Sequence, residues 1–174
     1  MGIFAIRPGR PDDAATLLRF FDQAVQWLVA RGSAGQWGDR PWSAIPHRAS
    51  RVADMTGEPG LRIAEVDGEP AGAVIFRESC PPYVPPAGEA ELYVGLLIAS
   101  RRGAGARLLE YVLAEARRRG IGLVRVDCWA GGDGGLVRYY ERQGFHPTAR
   151  FDLDGWLGQV LERRVSREAA GDPH

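Results

Sequence analysis

The chain has 174 residues, long enough for one domain with a sizeable core, and its 45% hydrophobic and 25% charged content is that of an ordinary soluble globular protein. Its 22 basic and 22 acidic residues cancel to a net charge of zero, which argues against a general nucleic-acid binder. No apolar run approaches the length of a membrane span, "MGIFAIRPGRPDD" lacks a signal-peptide core, and two cysteines, Cys80 and Cys128, are too few for a disulfide framework or a cysteine-rich zinc site. A reduced, cytoplasmic setting is therefore expected, with no membrane partner. Every basic residue is arginine and asparagine is absent, the codon bias of a GC-rich bacterial genome.

In chain order, "FAIR" predicts a short strand. "PGRPDDAATLLRFFDQAVQWLVARG" predicts a helix, with Leu17, Leu18, Phe21, Ala24, Val25 and Leu28 at helical spacing and Gly32 as terminator. "SAGQWGDRPWSAIP" is a loop, and "HRASRVADMTG" a short second helix. "LRIAEVDGEPAGAVIFR" reads as two strands joined at Asp67-Gly68, and a proline-rich connection follows. "EAELYVGLLIAS" is a longer strand, leading into an amphipathic helix with Leu108, Leu109, Val112, Leu113 and Ala116 on one face. "GLVRVDCW" is a strand, "GGLVRYYERQG" a short helix, and "HPTARFDL" and "WLGQVLERRV" two final strands. With no repeat and no linker, a single α+β domain over 1–166 and a frayed tail at 167–174 are expected.

The stretch "ASRRGAGARLLEY" places two glycines and two arginines where a helix begins. A glycine turn there leaves helix N–H groups pointing at one spot, and the helix dipole with Arg101 and Arg102 makes that spot attractive to an anion, pyrophosphate above all. A tight turn with solvated arginines explains the residues equally well. Gly103-Ala104-Gly105 also resembles the start of a dinucleotide fingerprint, with Asp127 as the ribose acid, but Leu108 stands at the third glycine position.

From about Phe4 to Val165 the sequence resembles the GNAT family of acetyl-CoA-dependent N-acetyltransferases. The resemblance rests on "IRPGRPDDAATLL", "VDGEPAGAVIF", "LLIASRRGAGARLLEYVLAEARRRG" and "LVRVDCWAGGDGGLVRYYERQGF", in that order. It implies a three-layer α/β/α fold around a central mixed, mostly antiparallel sheet. Two departures stand out. Ser100 replaces the first Gln or Arg of the family's loop, and the connection from "LYVGLLI" to that loop is short. Either the strand ends near Val94 or the turn is compressed. Asp133 stands where the family often has asparagine, which mutational bias explains.

The resemblance implies that acetyl-CoA is the co-substrate, with no metal. Its pyrophosphate would lie on Arg101, Arg102, Gly103, Ala104, Gly105 and Ala106, and its pantetheine arm along Leu96, Leu97 and Ile98. A backbone N–H in the Gly95–Ile98 region would polarise the thioester carbonyl. Tyr140 matches the family position that serves the departing sulfur, and its neighbour Tyr139 does not. For the base that deprotonates the amine, Glu91 is the candidate, sharing strand parity with Tyr93, with Glu89 on the same parity nearer the proline-rich connection, and a solvated strand-end carboxylate is the equal alternative for either. For the acceptor, Trp37, Trp42 and Asp39 of "QWGDRPW" would roof a pocket for a small amine, or the two tryptophans plug the core. Family members commonly form homodimers, although no stretch here marks an interface. Three functions result: an acetyl-CoA-dependent N-acetyltransferase acting on a small-molecule primary amine in a ternary complex, an acyl-CoA-binding module without turnover, and, more distantly, a dinucleotide-dependent oxidoreductase.

Overall fold

The computed structural model describes residues 2–166, so the tail expected at 167–174 lies outside the described residues. Its strands are β1 (Phe4–Pro8), β2 (Leu61–Val66), β3 (Glu69–Arg77), β4 (Leu92–Ala99), β5 (Leu123–Trp129), β6 (His146–Leu153) and β7 (Trp156–Arg164). Its α-helices are α1 (Ala14–Ala30), α2 (Pro46–Met55), α3 (Ala104–Arg118) and α4 (Gly135–Arg142). No helix among the described residues is long and apolar enough to cross a membrane. The chain divides into two compact units, one holding the residues up to Ile75 with Leu96–Leu108 and Gly131–Asp133, the other holding the remainder.

In the first unit β1, β2 and β3 form an antiparallel meander, from Phe4↔Val66 to Pro8↔Arg62 and from Leu61↔Ile75 to Val66↔Glu69. The β2–β3 hairpin turns at Asp67 and Gly68, both at positive φ (52° and 80°), the conformation that a two-residue hairpin loop requires. β4 neighbours β3 on its other side, and just past its end the Ser100 N–H donates to the Ala71 carbonyl at 2.9 Å. A Cβ at Gly72 would stand 2.8 Å from the Ile98 carbonyl oxygen, so this crossing needs glycine. Leu17, Phe21 and Val25, one stripe of α1, pack with Val52 of α2 and with Leu61, Ile63, Ile75, Leu96 and Ile98 of the strands. Arg7 locks β1 to the start of α1, donating to Asp13 at 2.7 and 2.9 Å and to Glu65 at 2.7 Å.

In the second unit the first half of β4 pairs with β5 in parallel, Leu92↔Val124 to Val94↔Val126. Antiparallel ladders then join β5 to β7 and β7 to β6. The strand order is β1-β2-β3-β4-β5-β7-β6, a seven-stranded, mostly antiparallel sheet in a mixed α+β fold. β4 therefore serves each unit with one half.

Two sequence-level alternatives are resolved here. The apolar run after Glu91 is strand as far as Ala99, so the turn is compressed into Ser100–Gly103 before α3 starts at Ala104. Its parallel pairing with β5 nevertheless has its last rung at Val94. The strand begins at Leu92 rather than at Glu89, because the proline-rich connection extends through Glu91. The second helix starts one residue early, on Pro46, whose fixed φ suits a first helical position.

Candidate active site

In the first unit, the compressed turn holds Gly103 at φ 87°, and nothing lies within 4 Å of where its Cβ would be. Glycine is required there for its backbone conformation, and the space beside it is open. Of the donors at the start of α3, the Ala104 N–H reaches the Arg101 carbonyl at 3.2 Å and the Arg107 N–H reaches the Gly103 carbonyl at 3.3 Å. Those of Gly105 and Ala106 lie between them, ahead of the first intrahelical rung. Arg101 and Arg102 are exposed beside this turn, while Arg107 stacks its guanidinium 4.0 Å from the Phe4 ring centre. Converging N–H groups, an open approach and two exposed cations suit a pyrophosphate.

Leu96 and Ile98 are buried in the same apolar cluster as Trp42, and Trp37 packs against that cluster. Leu97 is half-buried. Trp42 stacks on Phe21 with ring centres 4.2 Å apart, and its indole N–H donates to the Trp37 carbonyl at 3.1 Å. Arg48 donates to that carbonyl at 2.9 Å. Trp42 is thus fixed as core. Trp37, half-buried at 5.2 Å from Phe21, keeps an outward side, and Asp39 is exposed next to it.

In the second unit, Tyr140 on α4 is buried, with Tyr139 and Phe145 ring centres 5.3 and 5.9 Å away. Burial first, then the nearby Cys128, Tyr139 and Asp127, hold the Tyr140 phenol well above its ordinary titration range, so it stays protonated. Burial likewise pushes the Cys128 thiol up to about 12. Glu91 is buried and engaged: Arg125 donates to its carboxylate through Nε at 2.6 Å and Nη2 at 3.0 Å, and through Nη1 to the Pro85 carbonyl at 2.9 Å. Both Glu91 oxygens are occupied by a guanidinium, an arrangement that anchors the 78–91 connection to β5. Glu89 pairs with Arg164 at 2.6 Å.

Sequence reasoning passed over a second contact on this face. The Tyr93 hydroxyl donates to the Asp127 carboxylate, and Asp127 follows the last parallel rung. The signal was available: Tyr93 and Arg125 are paired residues, and Asp127 lies two beyond Arg125, so all three side chains stand on one face. From the sequence alone Asp127 reads as a candidate ribose acid instead. The ladders argue against that reading, since an antiparallel β1–β2–β3 meander precedes the parallel β4–β5 pair, unlike a dinucleotide-binding βαβ series.

A sequence model described as the acetyltransferase (GNAT) family matches residues 22–145. No curated relative matches the chain in sequence. Among solved structures, a GNAT-family acetyltransferase from Listeria monocytogenes is similar at 18% identity and a TM-score of 0.68, over 95% of this chain and 100% of that one. The yncA acetyltransferase of Salmonella typhimurium, solved with acetyl-CoA, is similar at 21% identity and a TM-score of 0.59, over 97% and 98%. The ribosomal-protein-alanine N-acetyltransferase of Brucella melitensis is similar at 22% identity and a TM-score of 0.60, over 92% and 99%.

Proposed function

The chain belongs to the GNAT acetyltransferase family, and from that premise we propose that it transfers the acetyl group of acetyl-CoA to a primary amine carried by a small molecule, by direct attack in a ternary complex. The observation that carries this reading is the turn before α3, with Gly103 open at positive φ and Arg101 and Arg102 exposed beside it. Arg101, Arg102 and the backbone of Gly103, Ala104, Gly105 and Ala106 hold the pyrophosphate, and the backbone of Leu96, Leu97 and Ile98 receives the pantetheine arm. The thioester of acetyl-CoA supplies the activated acetyl group. Tyr140, kept protonated by its burial, hands a proton to the departing sulfur. Trp37 and Asp39 select the acceptor from their loop, with Trp42 as their fixed support.

A net charge of zero gives no reason to favour a large anionic acceptor, and the free cysteines Cys80 and Cys128 suit a reduced cytoplasm. The Brucella neighbour is named as a ribosomal-protein-alanine N-acetyltransferase, and at 22% identity that similarity supports the fold rather than the acceptor. The compressed Ser100–Gly103 turn favours one second reading, a module that holds acyl-CoA without turnover. Calorimetry with acetyl-CoA followed by thiol release over a panel of amines separates the two. Binding with turnover supports the transferase, binding without turnover the holding module, and absence of binding sinks both.

A further inference from the structure

Resting on the transferase reading, we propose that the proton of the acceptor ammonium is taken by Asp127, with Tyr93 as the residue that positions its carboxylate. An amine is protonated at neutral pH and cannot attack a carbonyl until it loses that proton. The acceptor must therefore meet a carboxylate that is ionised, aimed and not already neutralised by a guanidinium. Glu91 fails the last condition, because Arg125 occupies both of its oxygens.

Asp127 meets the last two by its geometry, and the hydroxyl that Tyr93 donates to it favours the ionised form. It stands just past the last parallel rung, Val94↔Val126, where β5 continues beyond its pairing with β4. Among the described residues its hydrogen-bond partner is the Tyr93 hydroxyl, from a residue that is only 1% exposed and so cannot swing away. Asp127 itself is half-buried. Arg125, the cation on its own strand and face, is committed to Glu91 and to the Pro85 carbonyl. Two residues on, Trp129 buries an indole N–H with no hydrogen-bond partner among the described residues, beside the Trp156 ring at 5.6 Å. A buried donor left without a partner among the described residues, two positions along the strand from this carboxylate, marks a strand end whose hydrogen bonding is unfinished. Burial raises the Asp127 carboxyl above the usual aspartate range and the Tyr93 hydrogen bond opposes that rise. The other titratable and charged groups around it are Arg125 on its own strand and face, Cys128 beside it on β5 and Tyr140 on α4.

The step balances without a further reactant. Asp127 takes the ammonium proton, the freed nitrogen lone pair forms the bond to the acetyl carbon, and the C–S bond breaks. Sulfur leaves with the electron pair and takes a proton from Tyr140, the second nitrogen proton and the proton on Asp127 pass to solvent, and solvent returns one proton to Tyr140, so that one proton is released in all.

The test uses the full chain with acetyl-CoA, n-butylamine as a protonated acceptor, and trifluoroethylamine as one already neutral at neutral pH. Asp127→Asn should lower kcat/KM roughly 10²-fold for n-butylamine and far less for trifluoroethylamine, with acetyl-CoA affinity by calorimetry unchanged. Tyr93→Phe should move the acid limb of the pH profile to higher pH, because the lost hydrogen bond had favoured the ionised carboxylate. A carbon-13 titration of the Asp127 carboxyl should move the same way without acetyl-CoA present. Equal losses for both amines, or unchanged turnover in Asp127→Asn, would overturn the assignment while leaving the transferase standing. Acetyl-CoA binding with no turnover of either amine by the wild-type chain would overturn both.

Discussion

Arg125 and Glu91 meet through two hydrogen bonds with side chains only 7% and 6% exposed, a closed pair that ties the proline-rich connection to β5. A charge buried this deeply is tolerated because its partner is present. Glu91→Gln should strand the Arg125 guanidinium and cost about 3–5 kcal/mol of stability, read as a lowered urea midpoint. If Glu91→Gln keeps its midpoint and loses turnover instead, Glu91 is chemical rather than structural.

The turn before α3 supplies the next prediction. Arg102→Ala removes one exposed cation and should weaken acetyl-CoA binding by about 1–3 kcal/mol in calorimetry, the scale of a charge-assisted contact. Gly103→Ala places a Cβ in open space but at φ 87°, so its cost is backbone strain of roughly 1–2 kcal/mol. Unchanged affinity in both variants would move the pyrophosphate elsewhere.

For Tyr140→Phe, kcat should fall by roughly 10²-fold with acetyl-CoA affinity retained, and Tyr139→Phe should be nearly silent. Because burial raises the Tyr140 phenol, its deprotonation should not limit kcat at any pH up to its ordinary value of 10.0. A basic limb that sets in earlier and vanishes in Tyr140→Phe would contradict this.

The two loop tryptophans should behave differently. Trp42→Ala empties a stacked core position and should cost about 3–5 kcal/mol. Trp37→Ala should raise the acceptor KM with little change in acetyl-CoA affinity. Similar melting losses and intact kinetics in both would make the pair a core plug only.

Acid should loosen α3. Glu115 accepts from Arg118 and Arg119, and the Arg118 hydrogen bond leads in holding its carboxyl down from 4.5 to about 2. A depressed folded value means a contribution fully present above about 4.5 and lost as pH falls towards about 2. Glu115→Gln should flatten that part of an acid-unfolding curve, and an unaltered slope would show that these pairs do not persist in solution.

The elements were legible because local chemistry dictates them. Asp67-Gly68 announces its turn through the positive φ that both residues adopt, and the spacing of Leu17, Phe21, Val25 and Leu28 announces the buried stripe of α1. The family was legible from the order of four motifs. What escaped was pairing between strands. Glu91 looks like any strand-end carboxylate until the β4–β5 register sets Tyr93 opposite Arg125 and brings the guanidinium within reach. Asp127 suffered the same fate, since strand parity predicts a face but not which neighbouring strand supplies the partner. Trp42 was ambiguous because a loop tryptophan turns inward or outward according to what lies beneath it, here Phe21.

Gly103 carries a consequence of handedness. Its position asks for a left-handed backbone and leaves the surrounding volume empty, so the residue that fits is not the smallest one but a mirror-image one. A D-alanine installed there by chemical ligation would favour that φ from the outset and shed conformational freedom only in the unfolded chain. The turn would then be stiffer than in any chain a ribosome can assemble, with its backbone donors held in the same arrangement.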